Sequence, residues 1–374
     1  MIAMKQLMIY AFGVISGCLL LSLSQYMFTL HQELSELRRV LLSDERMDRW
    51  KEKALTLHRP DIPFENRKMH HKASPLDNKK DCNGQTYLSL KYKYKLYGGV
   101  TFKSCSLSEK VVDDVSAFTE TVKGPIGHRD SRATNMWYHG NDNVLNLAID
   151  KDSVEFIGYI HDRGAFPFQT LNFRVGTQQD THADIVHFDT LPERGLMSAA
   201  WVALEDIHPD SGPLVWFPGS HKLGFWDYDE LGMRIDSSSL ELKFDEDYKT
   251  YERKVKETID KLGLKPSYAT LKKGESFIWS HSLLHGGSEV NNKELTRKSQ
   301  VTHYYLTGAT AYWQPRNSIP SLGKITYKCE VPTCTESDHT NCLERIHEAF
   351  KRRKIMHVDF SDNLPWVNEM CRIK

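Results

Sequence analysis

The segment Thr181-His-Ala-Asp-Ile-Val-His-Phe-Asp-Thr190 sets a histidine two residues before an aspartate twice, as His182/Asp184 and as His187/Asp189. Residues i and i+2 of a strand project from one face, so either pair can offer an imidazole and a carboxylate to one cation. A second histidine from elsewhere would complete a 2-His-1-carboxylate set, which leaves coordination positions open and suits Fe(II). The spacing alone is weak evidence. The chain holds five such pairs, the others being His128/Asp130, His208/Asp210 and His357/Asp359.

Context narrows the field. His208-Pro209-Asp210-Ser211-Gly212 is a turn, because Pro and Gly there exclude a central strand. His357 has no histidine after it, and His128 lies in a Gly-Pro-Ile-Gly loop. His182/Asp184 and His187/Asp189 have opposite parity, so on one continuous strand only one pair can face inward. The apolar run Leu171–Gln179 leads into His182, whereas His187 sits nearer the loop Thr190–Gly195, which favours the first pair. For the third ligand, the segment from Glu275 to Leu306 offers His281, His285 and His303. His285 precedes Gly286-Gly287, which permits close backbone approach, and Arg297 follows twelve residues later. An arginine there can pair bidentately with a dicarboxylate; a surface salt bridge is its plainer role.

These residues need a scaffold. A folded domain is expected from near Tyr87, opening on the strand Gly98–Cys105 and a helix with a Ser106/Glu109 capping box and an apolar face of Val111, Val112, Val115 and Phe118. From Val144 to about Tyr305 the segments Val154–Ile160, Thr170–Val175, Met197–Leu204, Pro213–Phe217, Ser276–Ser280 and Val301–Leu306 are short and apolar, as in an antiparallel sandwich or barrel. One helical insertion is expected over 241–262, with Tyr251, Val255, Ile259 and Leu262 on one side and Gly263 as its stop. Lys plus Arg and Asp plus Glu are 49 each, so no overall field draws the chain to nucleic acid.

Outside that domain the sequence changes character. After a short tail (1–6), residues 7–30 carry no charge and are long enough for a transmembrane helix; a signal peptide cleaved near Ser22-Leu23-Ser24 is the rival. Residues 31–57 place Leu34, Leu37 and Leu41 among charges, as a stalk helix through which two copies could pair. Residues 58–86 read as a polar linker and 313–374 as a cysteine-rich extension. Arg38, Arg39, Arg46 and Arg49 after the span would hold the rest of the chain in the cytoplasm. The cysteines argue otherwise: with Cys18 inside the apolar run set aside, Cys82, Cys105, Cys329, Cys334, Cys342 and Cys371 form an even set suited to disulfides. A single-pass membrane protein with its domain on the lumenal or periplasmic side is therefore expected.

Taken together, the motifs resemble the phytanoyl-CoA dioxygenase family of Fe(II)- and 2-oxoglutarate-dependent oxygenases. The resemblance is carried by His182-x-Asp184, Ala200-Trp201-x-Ala203-x-Glu205-x-Ile207, Gly212-Pro213-Leu214, Pro218-Gly219-Ser220-His221-Lys222, and Leu284-His285-Gly286 followed by Arg297 and His303. It spans about residues 95 to 308. It implies a mostly-β, double-stranded β-helix (jelly-roll, cupin-like) domain over 87–312 with flanking helices. It further implies iron on His182, Asp184 and His285, and 2-oxoglutarate on Arg297, with O2 as co-reactant and ascorbate as a candidate reductant. Trp201 would wall the cosubstrate pocket or pack in the core, and His221 would be structural. Many relatives carry a serine directly after His-Gly near the cosubstrate; this chain has Gly287 and then Ser288, so Ser288 is the cosubstrate candidate. Ala183 also replaces a residue that is often polar in relatives.

The implied reaction hydroxylates an aliphatic carbon while 2-oxoglutarate becomes succinate and carbon dioxide. The membrane span and the expected lumenal side favour a lipid, a glycan or a secreted polypeptide as substrate, with a small metabolite as the other expectation. The rivals are a jelly-roll binding module without turnover, and a cytoplasm-facing acyl-CoA hydroxylase.

Overall fold

The computed structural model describes residues 48–49, 73–128, 131–137, 140–191, 194–228, 230–233, 244–306 and 310–313. The chain divides into the units Met1–Glu52 and Lys53–Lys374, and the architecture that follows belongs to the second. The expected span at 7–30, most of the stalk and the extension from 314 on lie outside the described residues; among those described, no helix is long and apolar enough to cross a membrane.

The core is antiparallel. Six strands pair in the order β1 (Gly99–Lys103), β8 (Glu275–Ser280), β5 (Met197–Ala203), β10 (Ser299–Leu306), β3 (Ala165–Phe173) and β2 (Arg132–Thr134). A second sheet pairs β7 (Ser267–Ala269), β6 (Leu214–Trp216) and β9 (His285–Gly287), and a third joins β4 (Phe188–Leu191) to β11 (Thr310–Trp313). One apolar cluster unites inward residues of the large sheet (Phe173, Trp201, Phe277, Trp279 and Val301) with Leu214 and Ala269 of the second. The two sheets thus share one interior. Alternation explains it: Trp201 lies opposite Val301 and Phe277, so bulky side chains from three adjacent strands meet on one face.

Helices cover the other face. Helix α1 (Tyr87–Tyr97) starts where Thr86 Oγ1 accepts from Ser89 N–H and ends at Gly98, whose φ of 83° favours glycine. Space demands it as well, since a Cβ at Gly98 would meet the His221 ring at 2.4 Å. Helix α2 (Glu109–Thr119) is capped by Ser108, not by the expected Ser106. Ser106 instead donates to Asp150 Oδ1 at 2.7 Å. Helix α3 (Asp142–Ala148) is fastened to β10, as Gln300 Nε2 donates to Val144 O and Tyr304 Oη to Ala148 O.

Two expectations need correction. Residues 154–160, expected as a strand, lie in helix α4 (Lys151–His161), capped by Asp150 and ended by Asp162 at φ 54°. Every residue from Ser153 to Ile160 is buried, so no polar face shows the helical period, and a short apolar run fits either structure. The linker expected over 58–86 gives way to folded chain within its last third. Asp81 is buried and accepts from the backbone of Asn83, Gln85 and Lys103, and Cys82 is disulfide-bonded to Cys105. Polar side-chain-to-backbone bonds and a covalent link hold this stretch, which a hydrophobic pattern does not register. The insertion emerges as expected, as helix α5 (Phe244–Leu262) with Tyr248, Tyr251, Val255 and Ile259 buried.

The disulfide closes a separation of 23 residues. Replacing Cys82 and Cys105 by serine should lower unfolding stability by about 3 kcal/mol on the loop-entropy scale. Urea denaturation under non-reducing conditions measures this, and an unchanged midpoint would show the bridge to be absent or irrelevant.

Candidate active site

Both imidazoles of the site are aimed by their own backbone. His182 pairs with His285 across an antiparallel bridge, each N–H donating to the other's carbonyl at 2.9 Å, so the segment before Asp184 extends the second sheet beyond β9. His182 Nδ1 lies 2.9 Å from Asp180 O, and His285 Nδ1 lies 2.9 Å from Leu283 O. A carbonyl only accepts, so each Nδ1 carries the proton and each Nε2 keeps its lone pair. This is the ring state a metal ligand requires.

Asp184 opens a single 3-10 turn, Asp184–Val186, immediately after the extended Ala183. Continuous strand was expected up to this pair; instead β3 ends at Phe173, and the turn delivers the carboxylate. Oδ1 stands 3.8 Å from His182 Nε2 and 3.5 Å from His285 Nε2. Oδ2 accepts the indole N–H of Trp279 at 2.8 Å and faces His303 Nε2 at 3.7 Å. One carboxylate oxygen is thus engaged by the large sheet while the other looks toward the two imidazoles. The three ligand atoms lie within 4.8 Å of one another, and all three residues are buried. Burial disfavours the Asp184 anion, but the His285 and His303 imidazoles outweigh it and hold the carboxyl well below its usual range. Burial pushes His182 down to about 3, so its ring is neutral at physiological pH.

Arg297 enters just before β10. Its side chain is 4% exposed, the guanidinium carbon stands 5.4 Å from both the Phe173 and the Trp201 ring centroids, and Nε has no hydrogen-bond partner. Desolvation lowers it to about 10, still charged at neutral pH. A buried cation between two aromatic faces with an unmet donor is a site for an anion. The donors therefore fit both groups that the resemblance implies: three N/O ligand atoms for Fe(II), and a guanidinium for a carboxylate of 2-oxoglutarate.

The other expected residues divide. Trp201 is 1% exposed, packs in the core as one of its two expected roles requires, and stands beside Arg297. Ser288 donates to Pro213 O at 2.8 Å, which ties its hydroxyl to the neighbouring turn. A Cβ at Gly287 would meet Gln178 N at 2.9 Å and Gln179 N at 3.0 Å, so the main chain fills the space a serine would need there. His221, read as structural, has Nε2 3.2 Å from Lys95 O. Of the rival third ligands, His281 lends its carbonyl to Ile185 N–H, and His303 backs the far oxygen of Asp184. Asp189 of the second pair is fully buried against Arg194 (2.6 Å), which also binds Asp227, while His187 Nε2 meets Tyr248 Oη at 3.2 Å. Trp279 had no motif to mark it; its only sequence signal was its inward parity with Phe277 on β8.

Residues 166–299 match the family model described as phytanoyl-CoA dioxygenase (PhyH). Among solved structures the chain is similar to the non-heme alpha-ketoglutarate-dependent epimerase SnoN from nogalamycin biosynthesis (17% identity, TM-score 0.44, 64% of this chain and 86% of that one). It is similar also to the carbocyclase SnoK from the same biosynthesis (14%, 0.47, 66% and 93%) and to EctD from S. alaskensis with bound Fe (13%, 0.45, 70% and 93%). No curated protein is a significant match to the sequence.

Two predictions follow from this geometry. Trp279→Phe removes the donor to Asp184 Oδ2 but keeps an aromatic ring, and should weaken Fe(II) affinity about tenfold, the lower end for loss of a ligand's hydrogen-bond partner. Anaerobic metal titration checks this, and wild-type affinity would deny the indole its role. Burial also lowers His161 and His221 to about 3 and His281 to about 4, alongside His182. Each folded-state value lies below the ordinary 6.5, so the unfolded chain binds the extra protons, and stability should fall as pH drops from about 6.5 toward 3. Denaturant midpoints across that window test it; a flat profile would mean the rings are hydrated.

Proposed function

We propose that this chain, an Fe(II)- and 2-oxoglutarate-dependent dioxygenase by its phytanoyl-CoA dioxygenase domain at residues 166–299, hydroxylates an aliphatic carbon of a lipid, a glycan or a small metabolite. The observation that carries the reading is the convergence of His182, Asp184 and His285 in a buried cluster within the same domain as a buried Arg297 whose Nε has no hydrogen-bond partner. Zinc hydrolysis on the same three ligands would have no use for a buried guanidinium on the sheet.

The residues divide the work. His182 and His285 present Nε2 lone pairs because Asp180 O and Leu283 O hold the opposite nitrogens. Asp184 adds the negative charge, with Oδ2 fixed by Trp279 and Oδ1 left for the ion. With Fe(II) held there, O2 would be the oxidant: one oxygen atom would enter the substrate C–H bond and the other would go to 2-oxoglutarate, which gives up two electrons as it becomes succinate and carbon dioxide. Arg297 would bind the distal carboxylate of 2-oxoglutarate, and Phe173 and Trp201 on either side keep water from that ion pair. The packed interior, taken as a double-stranded β-helix, keeps the ligands at fixed separation and limits unproductive chemistry.

The placement we propose is a single-pass anchor at 7–30, the stalk at 31–57 pairing two copies, and the domain on the lumenal or periplasmic side. The Cys82–Cys105 disulfide supports that side, since such bonds persist in oxidising compartments. A membrane-bound lipid or a glycan is the substrate class this placement favours.

Purified protein should release succinate from 2-oxoglutarate only with Fe(II) present, and His182→Ala should abolish release. Arg297→Gln should raise the KM for 2-oxoglutarate roughly 10- to 100-fold, as expected for losing hydrogen bonds to a charged group. Iron-independent turnover, or an unaltered KM in the arginine variant, would reject the assignment.

A further inference from the structure

Helix α5 sends a side chain into the loop that carries the metal ligands, and the chemistry above makes no use of it. Tyr251 is 0% exposed, and its Oη accepts the Ala183 N–H at 3.1 Å. Ala183 is the one residue between His182 and Asp184. The donors on either side of it run toward the sheet: His182 N–H to His285 O at 2.9 Å and Ile185 N–H to His281 O at 3.1 Å. Of these three backbone amides, two are thus held from the sheet side and one from α5. That one falls on the spacer whose torsions set the angle between imidazole and carboxylate. Ala183 is itself 0% exposed, so its N–H has no water to turn to if the phenol is lost.

We propose that Tyr251 is a positioning residue for the metal site. Its hydroxyl fixes the Ala183 spacer, so that the insertion helix acts as a brace on the ligand loop and not as a lid that swings aside in turnover. Alanine offers no side-chain polar group of its own to hold the loop, and the phenol from a separate element supplies the anchor. The phenol is in turn immobilised: its ring stacks on Tyr248 at 5.6 Å and packs against Tyr228 at 5.2 Å. Burial also keeps Tyr251 in its neutral form, a hydroxyl with a lone pair for the amide. The helix reaches the site a second time, through Tyr248 Oη on His187 Nε2, and the His187 ring stands 6.1 Å from that of His182. A lid would have to break both bonds and expose four buried aromatic or aliphatic side chains, Tyr248, Tyr251, Val255 and Ile259, each time it opened.

This inference depends on reading His182, Asp184 and His285 as the iron site, and the test separates the two. Tyr251→Phe keeps the ring and removes only the hydroxyl. Val255→Ala, on the same buried face one turn along, loosens the packing of α5 without touching the bond. Full-length protein is titrated anaerobically with Co(II), a spectroscopic substitute for Fe(II), and metal-free Tm is measured in parallel. Tyr251→Phe should weaken Co(II) binding about tenfold and alter its d–d absorption band. Val255→Ala should lower Tm while leaving Co(II) affinity within about twofold of wild type. Wild-type affinity and spectrum in Tyr251→Phe, or an equal loss of affinity in Val255→Ala, would overturn the proposal and leave α5 a mere cover. Wild-type protein that takes up no Co(II) would overturn the iron-site reading, and this one with it.

Discussion

A desolvated carboxylate is the constraint around which this domain is organised. Asp184 is 3% exposed, and an anion so far from water persists only if its surroundings replace hydration. The indole N–H of Trp279 does so at Oδ2, where the His303 ring also stands, while Oδ1 faces the Nε2 atoms of His182 and His285. Trp279 lies on β8, His285 on β9, His303 on β10, and His182 at the bridge to β9. The anion can be satisfied only when the large sheet, the second sheet and the ligand loop have all closed on one another. Folding and assembly of the site are in that sense a single event.

The asymmetry of the carboxylate follows from the same packing. Because the indole approaches from the large sheet, one oxygen is engaged there, and the other faces the two Nε2 atoms across the interior. A register shift between His303 and Tyr304 in the pairing of β10 with β3 falls beside this point. Irregular pairing re-aims side chains near active sites, and His303 is the residue that profits. Arg297 stands apart in the opposite condition, a buried cation with a donor unmet. A preorganised buried cation with an unmet donor is costly to folding and useful to ligand binding.

Much of this was legible in the residues. The strands that build the interior are short apolar runs between turn residues, so β1, β5, β6, β8 and β10 were expected close to where they stand and β3 in its second half, and Gly263 did mark the end of α5. The choice of His182/Asp184 over His187/Asp189 also held, though for a partly different reason: a bridge and a turn, and not a long strand, point the pair inward. What escaped was of three kinds. Buried helices such as α4 show no polar face, so periodicity is silent about them. Contacts between distant elements leave no local trace either; nothing in the surroundings of Trp279 or Tyr251 announces a hydrogen bond to Asp184 or to Ala183. The polar stretch before Tyr87 escaped for a third reason, since its order comes from Asp81 and a disulfide.

The crossing of Gln178 and Gln179 over Gly286 and Gly287 carries a consequence for variation. Two runs of main chain touch there with only hydrogen between them, and neither can rotate out of the way as a flexible side chain would. That crossing is closed to substitution, because a side chain at either glycine would have to push the two runs apart. Trp216, half-buried on β6 and in register with His285, meets a side chain instead, its ring 4.9 Å from that of Phe277.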